Sequence, residues 1–289
     1  CSMTLVYRGY DQEGLDKQYE RLVAPDSYAI FDRWRARSDA SAAKRPCLID
    51  IAYGPSETEK LDVFPSADPN GPILIYIHGG YWIWKDKVDF RFVAEGVVDA
   101  GVNLVVINYA LTPHVTMDEI IRQVRAATAF TWKNAGGLIP GNRDRIFLAG
   151  HSAGGHLTAI AASTHWQSFD AALPPEIVAG GVAVSGLYDL EPIRLSYLNE
   201  TVGLDEPMAW RGSPIYQTKM EMPPLTLVCG GGESDEFKRQ QRDYAATLER
   251  GGAIVPTLEI GDLHHFAVIE TIADKGSELN ATLLKRMGV

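Results

Sequence analysis

The stretch Ile146-Phe147-Leu148-Ala149-Gly150-His151-Ser152-Ala153-Gly154-Gly155 organises the reading of this chain. Its first four residues are an apolar, strand-like run. The next five are Gly-x-Ser-x-Gly, and a helical pattern follows from Gly155 to Ser163. A serine flanked by glycines between a strand and a helix fits a very tight turn, with the serine held at its apex in a strained conformation. The glycines avoid clashes that any side chain would cause there. The helix N-terminus then lies beneath the serine, where its dipole and free N–H groups favour developing negative charge. Ser152 is therefore the expected nucleophile.

A nucleophilic serine needs an oxyanion hole, a base and an acid. Upstream, the run Ile73–Ile77 ends in His78-Gly79-Gly80-Tyr81-Trp82, where backbone N–H groups are unshielded by side chains. Together with Ala153, the residues Gly79, Gly80 and Tyr81 are the expected oxyanion hole. Of the seven histidines, only His264 and His265 follow the last strand-like run, Val255–Ile260. His265, at the start of the final helical pattern, is the expected base, with His264 a hydrogen-bonding neighbour. The acid should follow Leu225–Cys229, which leaves Glu233 or Asp235 in Gly232-Glu233-Ser234-Asp235-Glu236. Either would orient the imidazole and stabilise its cation. The order serine, acid, histidine is that of an α/β-hydrolase fold.

The rest of the chain supports that architecture. Strand-like runs occur at Leu48–Tyr53, Leu61–Phe64, Ile73–His78, Leu104–Tyr109, Arg145–Gly150, Val178–Ser185, Leu225–Cys229 and Val255–Ile260. Helical patterns at Phe90–Asp99, Met117–Asn134, Gly155–Ser163, Glu236–Arg250 and Phe266–Met287 alternate with the later runs. Such alternation predicts a mostly parallel central sheet with helices on both faces. Residues 13–37 read as two short amphipathic helices around Pro25. Residues 186–224, rich in Pro, Tyr and charge, read as a small lid-like insertion over the carboxyl edge of the sheet. All of residues 1–289 are read as one domain.

Composition narrows the class. The 289 residues are 46% hydrophobic and 22% charged, and no apolar run approaches a membrane span. A net charge of −10 without a basic block argues against nucleic-acid binding. Three cysteines, Cys1, Cys47 and Cys229, form no even disulfide framework, so a reducing, cytoplasmic location is expected. Cys1-Ser2-Met3 reads as a cloning remnant ahead of Met3 rather than a lipidated start. The histidines lack metal-site spacing, so neither metal nor cofactor is expected. The oligomeric state stays open, with a homodimer among the options.

The combination His78–Trp82, Gly150–Gly154, Ser185-Gly186-Leu187-Tyr188-Asp189-Leu190-Glu191-Pro192, Glu236-Phe237-Lys238-Arg239-Gln240 and His265-Phe266 resembles the kynurenine formamidase (arylformamidase) branch of the α/β hydrolases. The likeness also takes in Leu15-Asp16-Lys17-Gln18-Tyr19 and covers nearly the whole chain. In that family the acid lies in Asp-Ser-Pro-Glu-Phe, which aligns with Glu233-Ser234-Asp235-Glu236-Phe237. The resemblance thus puts the acid on Glu233, with glutamate where the family has aspartate. It implies hydrolysis of N-formylkynurenine or related aryl amides and esters. Tyr81, Trp82 and Trp84 follow the glycine turn and are the candidate contacts of a flat aromatic substrate, one or two of them facing the cleft and the rest core. Lys85 and Lys87 read as solvated surface, with contact to a substrate carboxylate as the alternative. The competing readings are a general carboxylesterase or thioesterase, a metal-dependent amidohydrolase, and a catalytically silent binding module.

Overall fold

The computed structural model describes residues 4–289, so the reading of Cys1-Ser2-Met3 concerns residues outside that range. Eight strands form one sheet: β1 (Leu48–Ala52), β2 (Lys60–Phe64), β3 (Ile73–Ile77), β4 (Asn103–Ile107), β5 (Ile146–His151), β6 (Gly180–Val184), β7 (Leu225–Gly230) and β8 (Thr257–Ile260). Their spatial order is β1-β2-β4-β3-β5-β6-β7-β8. The first two pairings are antiparallel and all the others are parallel. Every strand lies within two residues of its expected run.

Strand periodicity explains why the sheet is covered on both sides. Successive side chains point to opposite faces. Ile73, Ile75, Ile77, Val105, Ile107 and Leu148 join one buried cluster with the helices Met117–Asn134 and Ala153–Ala162. Leu74, Tyr76, Leu104, Val106, Phe147 and Ala149 join the other, with the N-terminal and C-terminal helical segments. Strands apolar at every position, as β3 is, suit only such a two-sided burial. β1, at the edge, stays largely exposed.

Three helical expectations change in detail. The segment 87–100 is a chain of 3-10 turns around a four-residue helix, Ala94–Val97. It is pressed onto its neighbours: a Cβ on Gly96 would stand 2.3 Å from Ile272 O. The C-terminal pattern splits into His265–Glu270 and Glu278–Met287. Gly276 at φ 82 and the N-cap Ser277, which accepts from Asn280 N–H, separate the two. At the N-terminus, α1 (Gln12–Gln18) is as expected in kind, and α2 (Ser27–Lys44) runs well past residue 37.

Residues 186–224 carry three short helices, Glu191–Leu195, Asn199–Val202 and Glu206–Arg211. Leu187, Leu190, Ile193 and Leu198 anchor them in the core. Gln240 ties this segment to α1. Its Oε1 accepts from Tyr188 N (2.5 Å) and Asp189 N (2.8 Å), and its Nε2 donates to Tyr19 Oη (3.0 Å). Tyr19 Oη in turn donates to Glu236 Oε2 (2.8 Å). Among the described residues no helix is long and apolar enough to cross a membrane.

Candidate active site

β5 delivers Ser152 at its carboxyl end, and the helix Ala153–Ala162 starts immediately after it. Ser152 has φ 58 and ψ −119, an unfavourable conformation for a residue with a side chain. The turn leaves no room elsewhere: a Cβ on Gly154 would stand 1.9 Å from Ile77 O. Tertiary packing of β3 against β5 therefore holds the elbow shut.

The His78–Trp82 strap leaves the end of β3 and lies directly on the elbow. A Cβ on Gly79 would stand 2.6 Å from His151 O and 3.2 Å from Ser152 Cβ. Gly80 (φ 115), Tyr81 (φ 48) and Trp82 (φ 61) all have positive φ, so the strap turns tightly over the serine. Gly80 O accepts from Ile83 N (3.0 Å) and Trp84 N (3.1 Å). The amides of Gly79, Gly80, Tyr81 and Ala153 have no intramolecular acceptor among the described residues. They remain available to an anion formed at Ser152. His78 is a support: its ring stacks on Tyr109 at 4.2 Å, and its Nδ1 lies 2.8 Å from Gly79 O.

The β7–β8 side of the sheet supplies the remaining groups. His265 Nδ1 lies 2.7 Å from Glu233 Oε2. With a carboxylate beside it, Nδ1 carries the proton and Nε2 is left as the basic nitrogen. Glu233 Oε1 accepts from Gly230 N (2.7 Å) and from Ser185 Oγ. Ser185 was not foreseen from the sequence. It follows β6 with φ 49, and only the fold brings it to the carboxylate. His265 also packs on Phe237, with ring centroids 4.5 Å apart, and its carbonyl is held by His151 Nε2 at 2.7 Å. Burial drives the His151 pKa well below the usual imidazole value, so that ring is neutral and donates from Nε2. Ser152 Oγ makes no hydrogen bond to His265 among the described residues, as is common before substrate tightens such a site.

Asp235 is exposed on the first turn of the helix Asp235–Arg250 and makes no hydrogen bond to His265 among the described residues. It caps nothing; the N-cap is Ser234, whose Oγ donates to Gln18 O. His264 caps the helix His265–Glu270, its Nδ1 accepting from Phe266 N (3.2 Å) and Ala267 N (3.3 Å).

A narrow cleft opens onto Ser152 and His265. Tyr81 and Trp84 line it, beside Phe31, Trp34, Phe90 and Phe266. Trp82 does not. It is fully buried and donates from Nε1 to His156 Nδ1 (3.1 Å), because the chain reversal at Tyr81 turns the next side chain into the core. The walls contributed by α2 were also unforeseen, although Phe31 and Trp34 stand at helical i, i+3 spacing. No residue of 186–224 lines the cleft. Neither lysine is solvated surface. Lys87 is buried in ion pairs with Asp50 (2.7 Å) and Asp62 (2.8 Å), and Lys85 lines the cleft.

Comparison with known proteins gives this geometry a family. The BD-FAE family model matches residues 61–242. The kynurenine formamidase of Danio rerio is 35% identical over 98% of this chain and 98% of its own. That of Salmo salar is 35% identical over 83% of this chain and 82% of its own. A solved structure from Silicibacter sp. TM1040 superposes with a TM-score of 0.80 at 27% identity, covering 93% of this chain and 98% of that one. The chain belongs to the BD-FAE family and to the kynurenine formamidase family of α/β-hydrolase enzymes, which act on ester and amide bonds.

Proposed function

We propose that this hydrolase cleaves aryl formamides and small aryl esters through Ser152, His265 and Glu233. The observation that carries the reading is the Glu233–His265 contact of 2.7 Å beside a serine held at φ 58 under a strap of free amides. Ser152 Oγ attacks the carbonyl carbon while His265 Nε2 takes its proton. The oxyanion is stabilised by the amide of Ala153 and by those of the 79–81 strap. Protonated His265, steadied by Glu233, then gives its proton to the departing aryl nitrogen or oxygen. An acyl-serine remains. Water, deprotonated by His265, attacks that ester and releases the carboxylic acid, formic acid for a formamide, with Ser152 regenerated.

The cleft supports an aryl leaving group. Its aromatic rings form flat, apolar walls with little free space between them. A small acyl group then suits the space left beside the strap. The test is kcat/KM for N-formylkynurenine against aryl acetates and aryl hexanoates. We expect formyl and acetyl compounds to be cleaved well and hexanoates at least tenfold worse, the effect of a few methylenes a tight pocket cannot hold. Equal rates across the acyl series would refute the small-acyl reading.

A further inference from the structure

We propose that Lys85, assisted by Arg21, forms an anion subsite at the mouth of the Ser152 cleft, selecting substrates whose leaving group carries a carboxylate. This rests on the cleft's assignment as the catalytic site and adds a chemical requirement to it.

Four observations carry the proposal. First, the charge is of the wrong sign for a bland surface. The chain has a net charge of −10, yet Lys85 and Arg21 line the cleft and no Asp or Glu does. A narrow cleft of one sign concentrates ligands of the other. Second, the Lys85 ammonium is held in place. Its Nζ lies 3.7 Å from the Phe31 ring centroid and 4.6 Å from that of Trp84, two rings that also line the cleft. Third, it has no ion-pair partner among the described residues. Asp89 and Asp32 act on it only through space, and Asp89 is engaged by Arg35 at 3.7 Å. Partial burial without a partner lowers the Lys85 pKa from its ordinary value, a cost that an arriving carboxylate would reverse. Fourth, the Lys85 backbone has φ 76, a conformation unfavourable for a lysine. Strain of this kind persists where surrounding structure imposes it, and it clusters at functional sites. Lys87, two residues on, shows the contrast: its charge is consumed by Asp50 and Asp62.

The experiment compares 3-acetoxybenzoate with 3-acetoxybenzamide, which differ in the charge of one substituent. The readout is the ratio of their kcat/KM values in wild type, Lys85→Met, Lys85→Arg and Arg21→Gln. Intrinsic reactivity cancels when variant and wild-type ratios are compared. We expect Lys85→Met to lower the preference for the carboxylate about tenfold, as one charge-assisted hydrogen bond would. Arg21→Gln should lower it less, Lys85→Arg should restore most of it, and added salt should erode it in wild type. Calorimetric binding of 3-hydroxybenzoate and 3-hydroxybenzamide provides an arm independent of turnover. A ratio and a binding preference unchanged in both Lys85→Met and Arg21→Gln would overturn the subsite. Failure of wild type to cleave either acetate, with selective 3-hydroxybenzoate binding intact, would instead count against the catalytic reading.

Discussion

Glu233→Gln should disable the enzyme through the position of a single proton. Glu233 Oε1 accepts two hydrogen bonds, from Gly230 N and Ser185 Oγ, and Oε2 faces His265 Nδ1. In the glutamine variant the amide oxygen belongs where Oε1 was, because the Gly230 N–H can only donate. The NH2 group then faces His265 Nδ1, which must become the acceptor. The imidazole proton moves to Nε2, and the base that should serve Ser152 is lost. Flipping the amide would restore the tautomer but leave the buried Gly230 N–H facing an NH2 group, at a cost of about 1–3 kcal/mol. That disfavours the productive arrangement roughly five- to 150-fold, since each 1.4 kcal/mol is tenfold. Loss of the carboxylate's stabilisation of the imidazolium deepens the effect, for an overall fall in kcat of up to about 10⁴. The assay is acyl-enzyme formation with an aryl acetate, alongside circular dichroism to show that the variant is folded. Asp235→Asn is the control. Its side chain is exposed and caps nothing, so it should keep full activity and lose at most about 1 kcal/mol of favourable helix-dipole interaction. A folded Glu233→Gln enzyme within tenfold of wild type would refute the reasoning.

Ser152→Ala should abolish turnover, by on the order of 10⁶ in kcat, and block labelling by a fluorophosphonate while leaving the fold intact. Ser185→Gly and Ser185→Ala should both lose activity, roughly tenfold, as the Glu233 carboxylate loses one of its donors. The glycine variant should be the more stable of the two by about 1 kcal/mol, because only it relieves φ 49; thermal melts ranking alanine above glycine would contradict this. Buried His156, whose Nε2 faces Gly212 O at 2.7 Å, has its pKa lowered by burial from 6.5 to about 4. The unfolded chain therefore takes up this proton first as pH falls. Stability should drop from about pH 6.5 to 4, by up to about 3 kcal/mol from this group. His156→Gln should flatten that slope by about one proton in urea titrations at successive pH values. An unchanged slope would show that the group does not titrate in this window.

Much of the scaffold was legible because its signals are local. Short, β-branched apolar runs such as Ile73–Ile77 and Leu104–Ile107 suit buried strands, and the Gly-x-Ser-x-Gly turn restricts what can follow β5. The serine, the glycine strap and the histidine after the last strand each sit at a strand end, where chain order predicts location. The helix after Phe90 was less legible. Gly96 there is set by its approach to Ile272 O, on a segment far away in the chain. Trp82 illustrates a different limit: nothing in Tyr81-Trp82-Ile83-Trp84 tells which ring faces the cleft. Three consecutive positive φ values in the strap, at Gly80, Tyr81 and Trp82, decide that.

From the amino-acid order alone came the parallel sheet, the nucleophile elbow and the candidate groups, since each depends on periodicity or on a turn only certain residues can form. The choice between Glu233 and Asp235 leaned on a resemblance; in the fold Glu233 contacts His265 at 2.7 Å, and no hydrogen bond joins Asp235 to His265 among the described residues. Glu233 reaches back under β7 to Gly230 N, Ser185 and His265, while Asp235 starts a helix in solvent. Ser185, Phe31, Trp34 and Lys85 took their places only in three dimensions. Contacts between residues 31 and 85, or 185 and 233, arise from packing α2 and β6 against distant elements, and no local periodicity encodes a meeting between segments so far apart in the chain.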